Sequence, residues 1–596
     1  MNAFIPTYNH IPRLEPLTES PLLSCLVCLI LLSLFNYGFS LILFSARPNV
    51  GNASKRPPQF PSPIPFLGII PFGLFWNPHR WVISSRLFWS THPMRVTILG
   101  QTIYLVQGTS NIAAAQRQRQ LSTFPFHQYI LSQAFNLAHK TLKTYQADNS
   151  GPLPTPYIGS NVQPENRVEY HTTNSVHRFL LGPGSRPLTR RLQKYIGPSI
   201  FSLPITTEWV VKDDLLDIFR SDITSAVLDA MCGPYLLEKH PHFLHDLWMI
   251  EDNIWKLLSR FPRFLAPRVY SARDRALAAI KDWHAWAREN FDSTEVDEQG
   301  NDPFWGSQFF RDRQPMFQKM DGFNADAIAA QDLAFFWGAV DNVVVAPYWM
   351  TLEIFKDPAL LARIRNEVHA CLVPPAGPHH QEGEPAVAPA FDMDKLLCQP
   401  FLKAVYCETL RLRVSGFFAR RTAPHDIEIC GWRIPKNSYL ASSPTPSQMD
   451  PAIWCTGDNE AHPVEEFYIG RWLKPKLNKH SSSEPTVAMS ATATATATAA
   501  STSTNQVEFE FSAEAARGAW MPFGGGHHLC PGRRVAKFML FLSTALLVTM
   551  YDCEVLGDAR DLPAMSMRTF GFGVLGPDRK VPVRMRRRRV RVRVDG

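Results

Sequence analysis

The sequence predicts a mainly α fold with minor β, placed behind an N-terminal transmembrane helix. Three observations predict it. The run LLSCLVCLILLSLFNYGFSLILF, Leu22 to Phe44, is 23 residues without a charge. Later segments, above all Ala327 to Phe355, are apolar at helical spacing over long stretches. Alternating, turn-punctuated sequence is scarce; DIEICGWRIPKNSYLA is the clearest case and reads as a small hairpin.

The apolar run reaches roughly 34 Å at helical rise, enough to cross a bilayer. A cleaved signal peptide is the competing reading, but the run is long for one and no strongly basic segment precedes it. Arg13 is the one basic residue before the run, whereas Arg47, Lys55 and Arg56 follow it. That asymmetry keeps the body of the chain cytosolic, and the sequon at Asn52 is then unused. RPPQFPSPIPFLG, Arg56 to Gly68, holds five prolines in thirteen residues. It makes a stiff, extended connector that cannot be helix.

The body follows. With 596 residues, 45% of them apolar, the chain can bury one very large core or several smaller ones. Its charge of +8 is local: Arg579 to Gly596 holds nine basic residues and one acid, and the remainder balances. A uniformly basic nucleic-acid surface is therefore excluded. RMRRRRVRVRV reads as a terminal strand with a solvated tail in preference to a lipid or nucleic-acid site. The ten cysteines form no framework, and nothing indicates a disulfide-built protein. The working part is expected in a reducing compartment.

Pro374 to Ala390 and His480 to Gln506 read as surface insertions; the second is of low complexity and almost free of large apolar side chains. Around them the chain reads as helix. Ala327 to Phe355 is expected as a buried core helix kinked at Pro347. DPALLARIRNEVHACL and FLKAVYCETLRLR read as amphipathic helices. The expected result is a mainly α body large enough to enclose a sizeable cofactor.

The chemistry concentrates in WMPFGGGHHLCPGRRVAKF, Trp520 to Phe538. Cys530 is preceded by Gly524, Gly525 and Gly526 and followed by Pro531 and Gly532. Glycines let the backbone approach a flat ligand closely. Backbone N–H groups, together with the start of a helix after the loop, stabilise a thiolate. A zinc site would need three further ligands, and no second cysteine pair has the spacing. One thiolate in a deep apolar body fits the axial ligand of a haem.

Phe523-Gly-Gly-Gly526-His-His528-Leu-Cys530-Pro-Gly532 resembles the cytochrome P450 haem-binding signature, FxxGx(R/H)xCxG, at every defined position. ETLR, Glu408 to Arg411, resembles the ExxR helix motif of that family, and Arg471 in FYIGRWL resembles the arginine that completes its triad. Three residues apart, Glu408 and Arg411 share a helix face. A buried carboxylate between two guanidiniums can be fully hydrogen-bonded. WGAVDNVVVAPYW, MPFGGG and GFGVLGPDRKVPVRMRRR are similar to the branch of bile-acid-type steroid 7-alpha/12-alpha-hydroxylases and prostacyclin synthase. The resemblance runs from about Pro57 to Arg588, with its clear motifs after Ala327.

The resemblance implies a cytochrome P450 fold and the following site. Cys530 is the axial ligand of haem b, and Phe523, Gly526 and His528 belong to its loop. Glu408, Arg411 and Arg471 form the triad. Arg420 in FFARR falls where the family places an arginine on a haem propionate. Arg190 in RPLTRRLQ is a second such residue, although the tryptophan expected four residues earlier is Arg186. His527 and His528 read as propionate contacts or loop packing in preference to catalysts. In most of the family the central helix carries an acid followed by threonine; here Asp341 keeps the acid and Asn342 replaces the threonine. Asp341 is then expected to supply protons and Asn342 to orient substrate or a bridging water. Phe335, Phe336 and Trp337 line the pocket or belong to the core.

The implied activity is monooxygenation of a hydrophobic small molecule of sterol, terpenoid, polyketide or fatty-acyl size, in specialised metabolism of a fungal type. The thiolate favours O–O cleavage. O2 is the oxidant, and NADPH electrons arrive through NADPH-cytochrome P450 reductase. The other partner is membrane lipid, and no nucleic acid is expected. The implied place is the endoplasmic reticulum membrane, single-pass. The expected organisation is a lumenal segment 1–21, an anchor 22–44, a linker 45–68, a haem domain 69–588 and a basic tail 589–596. Two alternatives stand beside this: a peroxide-rearranging isomerase or dehydratase that needs neither O2 nor NADPH, and a non-catalytic haem sensor.

Overall fold

The computed structural model describes residues 21–45, 56–61, 77–89, 92–98, 100–118, 121–374, 388–422, 425–476, 508–514, 516, 518–557 and 562–588. The insertion 480–506, the basic tail 589–596, the sequon Asn52 and most of segments 1–21 and 374–390 lie outside these residues.

The apolar run forms one helix, Pro21–Ser45. It meets the length and composition of a membrane span over Ser24–Ile42. Leu29, Leu32 and Phe35 are 62%, 64% and 73% exposed, so the helix carries its apolar surface on the outside. The start of the proline-rich connector is extended: Phe60 donates its N–H to the Arg95 carbonyl at 2.7 Å, and Arg95 Nε donates to the Pro57 carbonyl at 2.8 Å.

The body is mainly helical, as the sequence predicts. Its axis is the helix Ala325–Phe355, started by Asn324, whose side chain accepts the Ala327 N–H at 3.0 Å. The helix is buried along most of its length and is continuous through Pro347. It packs on Arg533–Met550, Pro267–Asn290 and Pro400–Arg413. Asp357 caps Pro358–His369 by accepting from Ala359 and Leu360 N–H. Trp283, Trp349, Trp454 and Trp472 are among the largest fully buried side chains.

The β content is small. A four-stranded sheet runs Met94–Ile98, Gln101–Val106, Tyr439–Ser442, Phe418–Arg421, with its middle pair parallel. The expected hairpin is present: Ile427–Ile429 pairs antiparallel with Trp432–Ile434. Cys430 and Gly431 turn it with φ of 46° and 83°. The arginine-rich segment forms the strand Val583–Arg587, in the middle of a sheet between Tyr551–Val555 and Val210–Lys212. Arg584 pairs with Glu554, and Arg586 and Arg588 share Asp552 at 3.1 and 3.4 Å, so the described part of this basic run is partly neutralised internally. All ten cysteines are free thiols.

Candidate active site

The cysteine loop descends from Trp520 and enters the helix Arg533–Met550. Its shape depends on glycine. Gly524 and Gly526 have φ of 73° and 62°, in the left-handed region. A Cβ on Gly525 would lie 2.2 Å from Gln116 Oε1, and one on Gly526 would lie 2.2 Å from the Gln116 carbonyl oxygen. The loop backbone therefore presses against the helix Thr109–Arg117 where no side chain fits. The Cys530 N–H closes the loop on the Phe523 carbonyl at 3.0 Å. Burial pushes the Cys530 thiol up; the backbone N–H groups of Gly532 and Arg533 and the Arg533 charge act against it. Arg533 also donates to the Cys530 carbonyl at 3.0 Å.

Beside the loop lie one arginine and two histidines. Arg420, on the strand Phe418–Arg421, is brought down to about 10 by burial, and the hydrogen bond it makes is to the Ala419 carbonyl. His528 Nε2 donates to the Leu121 carbonyl, 2.6 Å away, and is lowered to about 4 by burial, then by Arg420. His127, on the helix Phe124–Gln133, is lowered to about 4 by burial, Arg420 and His528. Among the described residues none of the three has a carboxylate partner. His527 is exposed.

Behind the loop, Glu408 and Arg411 are completely buried on the helix Pro400–Arg413. Arg411 donates twice to Glu408, at 2.8 Å each. Arg471 Nε donates to the same carboxylate at 3.2 Å, Trp472 Nε1 at 2.9 Å and the Tyr468 N–H at 3.1 Å. The guanidiniums are finished by carbonyls: Arg411 at Gln448, 2.8 Å, and Arg471 at His462, Pro463 and Cys455. The surface salt bridge that ExxR alone would permit is replaced by a closed buried network. Trp520 Nε1 donates to the Cys407 carbonyl at 3.1 Å and so ties that helix to the cysteine loop.

On the central helix, Asn342 does not stand free. Its Oδ1 accepts the Val574 N–H at 2.7 Å. Trp349 Nε1 donates to the Leu575 carbonyl at 2.8 Å, and Trp337 meets Phe572 edge-on at 6.1 Å. The strand Phe572–Val574 is thereby fixed against the helix. Asp341 is raised to about 7, chiefly by burial, with Arg220 opposing and Asp252 adding. Next to it, Glu251 on the helix Phe243–Asp252 is pushed well up by burial and by the Asp341 charge.

One expectation needs correction. Arg190 lies on an exposed position of the helix Ser185–Phe201, whose buried face is carried by Leu188 and Leu192. It has no ion pair with the cysteine loop among the described residues. The preceding helix, Val168–Leu180, supplies the neighbour instead: Leu180 lies against Gly532, and His177 is lowered by burial and by Arg533. Phe336 is core, fully buried against Phe243, Phe310 and Trp283, and Phe335 packs among Phe179, Phe309 and Phe310. Of the three aromatics, Trp337 faces Phe135 and Phe572. His127, Trp472, Gln116 and Glu251 were not expected. Only Trp472 had a nearby signal, standing next to Arg471 in GRW.

A mainly helical body closed over one thiol on a glycine loop is the architecture of the haem-thiolate proteins. The chain belongs to the cytochrome P450 family, whose model, described as Cytochrome P450, matches residues 204–581. It is 28% identical over 550 residues to cytochrome P450 monooxygenase fsoE of Humicola fuscoatra, covering 90% of this chain and 88% of that protein. It is 24% identical over 255 residues to prostacyclin synthase of Bos taurus, covering 42% and 43%. Retinoic acid bound cyanobacterial CYP120A1 shares the fold with a TM-score of 0.57 at 15% identity, covering 90% of this chain and 99% of that one. By family the protein is an enzyme of the cytochrome P450 monooxygenase type.

The family implies a haem with a cysteine thiolate ligand, and the residues here fit one. The glycine backbone brings the loop close to its neighbours where no side chain fits, and places Cys530 at the start of the helix Arg533–Met550 with backbone N–H groups on its sulfur. Arg420, with the neutral His127 and His528 beside it, has no carboxylate partner among the described residues, and its guanidinium is the complement of a ligand that carries carboxylates.

Proposed function

We propose that this chain is a membrane-anchored haem-thiolate monooxygenase that oxidises a hydrophobic small molecule of specialised metabolism. The observation that carries the reading is Cys530: one thiol on a glycine loop, with two backbone N–H groups on its sulfur and Arg420, without a carboxylate partner among the described residues, beside it. Bound haem supplies the activation of O2, with one oxygen atom entering the substrate and the other leaving as water.

The protein supplies the rest. Gly532 and Arg533 oppose the effect of burial on Cys530 and would favour its thiolate as the haem ligand. Arg420, with His127 and His528 beside it, would hold the carboxylates of the cofactor. Glu408, Arg411, Arg471 and Trp472 keep the floor of the site rigid. Asp341 holds a proton near neutrality. Asn342 sets the position of the strand Phe572–Val574, which with Trp337 would border the apolar substrate chamber. NADPH-cytochrome P450 reductase is the electron donor, and the helix Pro21–Ser45 anchors the enzyme in the endoplasmic reticulum membrane with the body cytosolic. The likeness to fsoE, a cytochrome P450 monooxygenase of Humicola fuscoatra, supports the monooxygenase reading.

The test is spectroscopic and kinetic. The reduced holoenzyme should give the red-shifted carbon-monoxide band of a thiolate ligand, and Cys530→Ala should lose that band and all turnover. A Cys530→Ala protein that keeps the band would place the ligand elsewhere. Product formed with NADPH omitted would replace oxygen insertion by peroxide rearrangement, the chemistry of an isomerase.

A further inference from the structure

A cleft of about 350 Å³ lies between the helix Val168–Leu180 and the helix Gln308–Gln318. That is the size of a small-molecule site, and none of the residues assigned above to the cysteine loop or to the substrate chamber lines it. Its base is apolar: Phe179 and Phe309, both buried, stack with their ring centroids 4.3 Å apart. Its walls are polar. On one helix Arg178 is exposed to the cleft, with no ion pair or side-chain hydrogen bond among the described residues. On the other side Ser307 stands at the N-cap of an eleven-residue helix, yet its side chain caps no N–H. Ser307 is only 2% exposed, and its hydroxyl has no hydrogen-bond partner. A serine at this position ordinarily accepts an N–H of the first turn. Here the hydroxyl, the free first-turn N–H groups and the positive end of the helix are all left for something else, and the guanidinium across the cleft has the same sign.

We propose that this cleft is an effector site for a small carboxylic acid with an apolar body. Arg178 and the Ser307 end of the helix hold the carboxylate, and the body lies on Phe179 and Phe309. Asp312, on the exposed rim and in the field of Arg178, selects a single negative charge over a doubly charged phosphate. The site goes beyond the oxidative reading and does not depend on which reaction the haem performs. Its walls touch the haem site from two directions. Phe309 packs on Phe335 of the central helix with centroids 4.7 Å apart, and Arg313, which also lines the cleft, donates to Asp332 of that helix at 2.9 Å. The opposite wall, Val168–Leu180, sets Leu180 against Gly532 two residues beyond Cys530. A ligand that draws the two helices together changes affinity at the haem, and a haem ligand changes affinity in the cleft by the same factor.

The experiment is calorimetric titration of holoenzyme with 3-phenylpropionate, with 3-phenylpropanol as the uncharged control and phenyl phosphate as the dianion. An azole bound to the haem iron keeps the chamber filled throughout. The acid should bind the azole-loaded enzyme at one site, and the alcohol and the phosphate should each bind about tenfold more weakly. Arg178→Gln should weaken the acid about tenfold while haem content and the carbon-monoxide band stay as in wild type. Met316→Trp, which fills the cleft, should abolish binding by a different route. In wild type the acid should shift azole affinity several-fold, and in both variants the shift should disappear. Displacement of the acid by the azole, or equal affinity in wild type and Arg178→Gln, overturns the site. Tighter binding of the phosphate overturns the carboxylate assignment, and binding that leaves azole affinity unchanged overturns the effector role.

Discussion

Asn342 Oδ1 accepts the Val574 N–H at 2.7 Å, joining the middle of the central helix to a strand 232 positions later in the chain. Asn342→Ala leaves that N–H without its acceptor, a loss of about 1–3 kcal/mol for a buried group. The strand borders the proposed chamber, so the product should scatter over several positions and NADPH should drain into peroxide. Asn342→Asp keeps an acceptor at the same place and should keep one product. Simultaneous measurement of products, NADPH and peroxide decides. A single unchanged product from Asn342→Ala would mean that Trp349 and Trp337 suffice to hold the strand.

Gly573 faces the same contact. Its φ is 145°, and a Cβ there would stand 2.1 Å from Asn342 Oδ1. Gly573→Ala is expected to displace the strand and to lower the melting temperature and substrate affinity together. Adding Asn342→Ala should recover only part of the loss, because the strained φ remains. Full recovery in the double variant would show that the clash, and not the backbone, limits this position.

Glu408 carries five hydrogen bonds in a dry network. Glu408→Ala or Arg411→Ala leaves an unpaired buried charge at a cost of about 3–5 kcal/mol and should yield little or no haem-loaded protein. Trp472→Phe removes a single bond to a charged acceptor, about 1.5–3 kcal/mol, and should give intact but less stable holoprotein. Haem content per chain and thermal melts separate the two. Full haem loading in Glu408→Ala would remove the network from cofactor retention.

Asp341 sits near pH 7 when folded against an ordinary 3.8. An acid raised in this way contributes stability below its unfolded value, and that contribution is lost as pH rises through the folded value. Asp341→Asn should therefore melt higher than wild type at pH 8 and close to it at pH 4, while its oxygen activation is slowed. Equal melting temperatures of the two at pH 8 would show that Asp341 ionises freely. Full coupled turnover by the variant would remove Asp341 from proton supply.

What was legible in the sequence is what the chain writes locally. The cysteine loop, the ExxR pair and the hairpin each span fewer than about twenty residues, and their turn glycines, helix spacing and alternation are read directly. Arg471 could be reached because its motif is itself local. What escaped was contact across the fold. Glu251 is an ordinary acid on an amphipathic helix until the central helix closes over it. His127 gains its role from Arg420 and His528, hundreds of residues away. Arg190 was misplaced for the same reason: RPLTRR has the right residues, but the packing of Leu188 and Leu192 turns Arg190 outward.

The trio of Arg420, His127 and His528 also bears on the life of the enzyme in the cell. Without an anion beside it, the Arg420 charge holds both histidines neutral and has itself lost hydration, so the empty chain begins at a disadvantage that the cofactor's carboxylates would reverse. Ligand that binds only the folded state raises its share by mass action. Abundance of the enzyme would then follow haem supply directly: empty chains would be opened and degraded first, and loaded ones would persist, with no change in synthesis. The same three side chains that seat the cofactor would serve as a checkpoint on whether it has arrived.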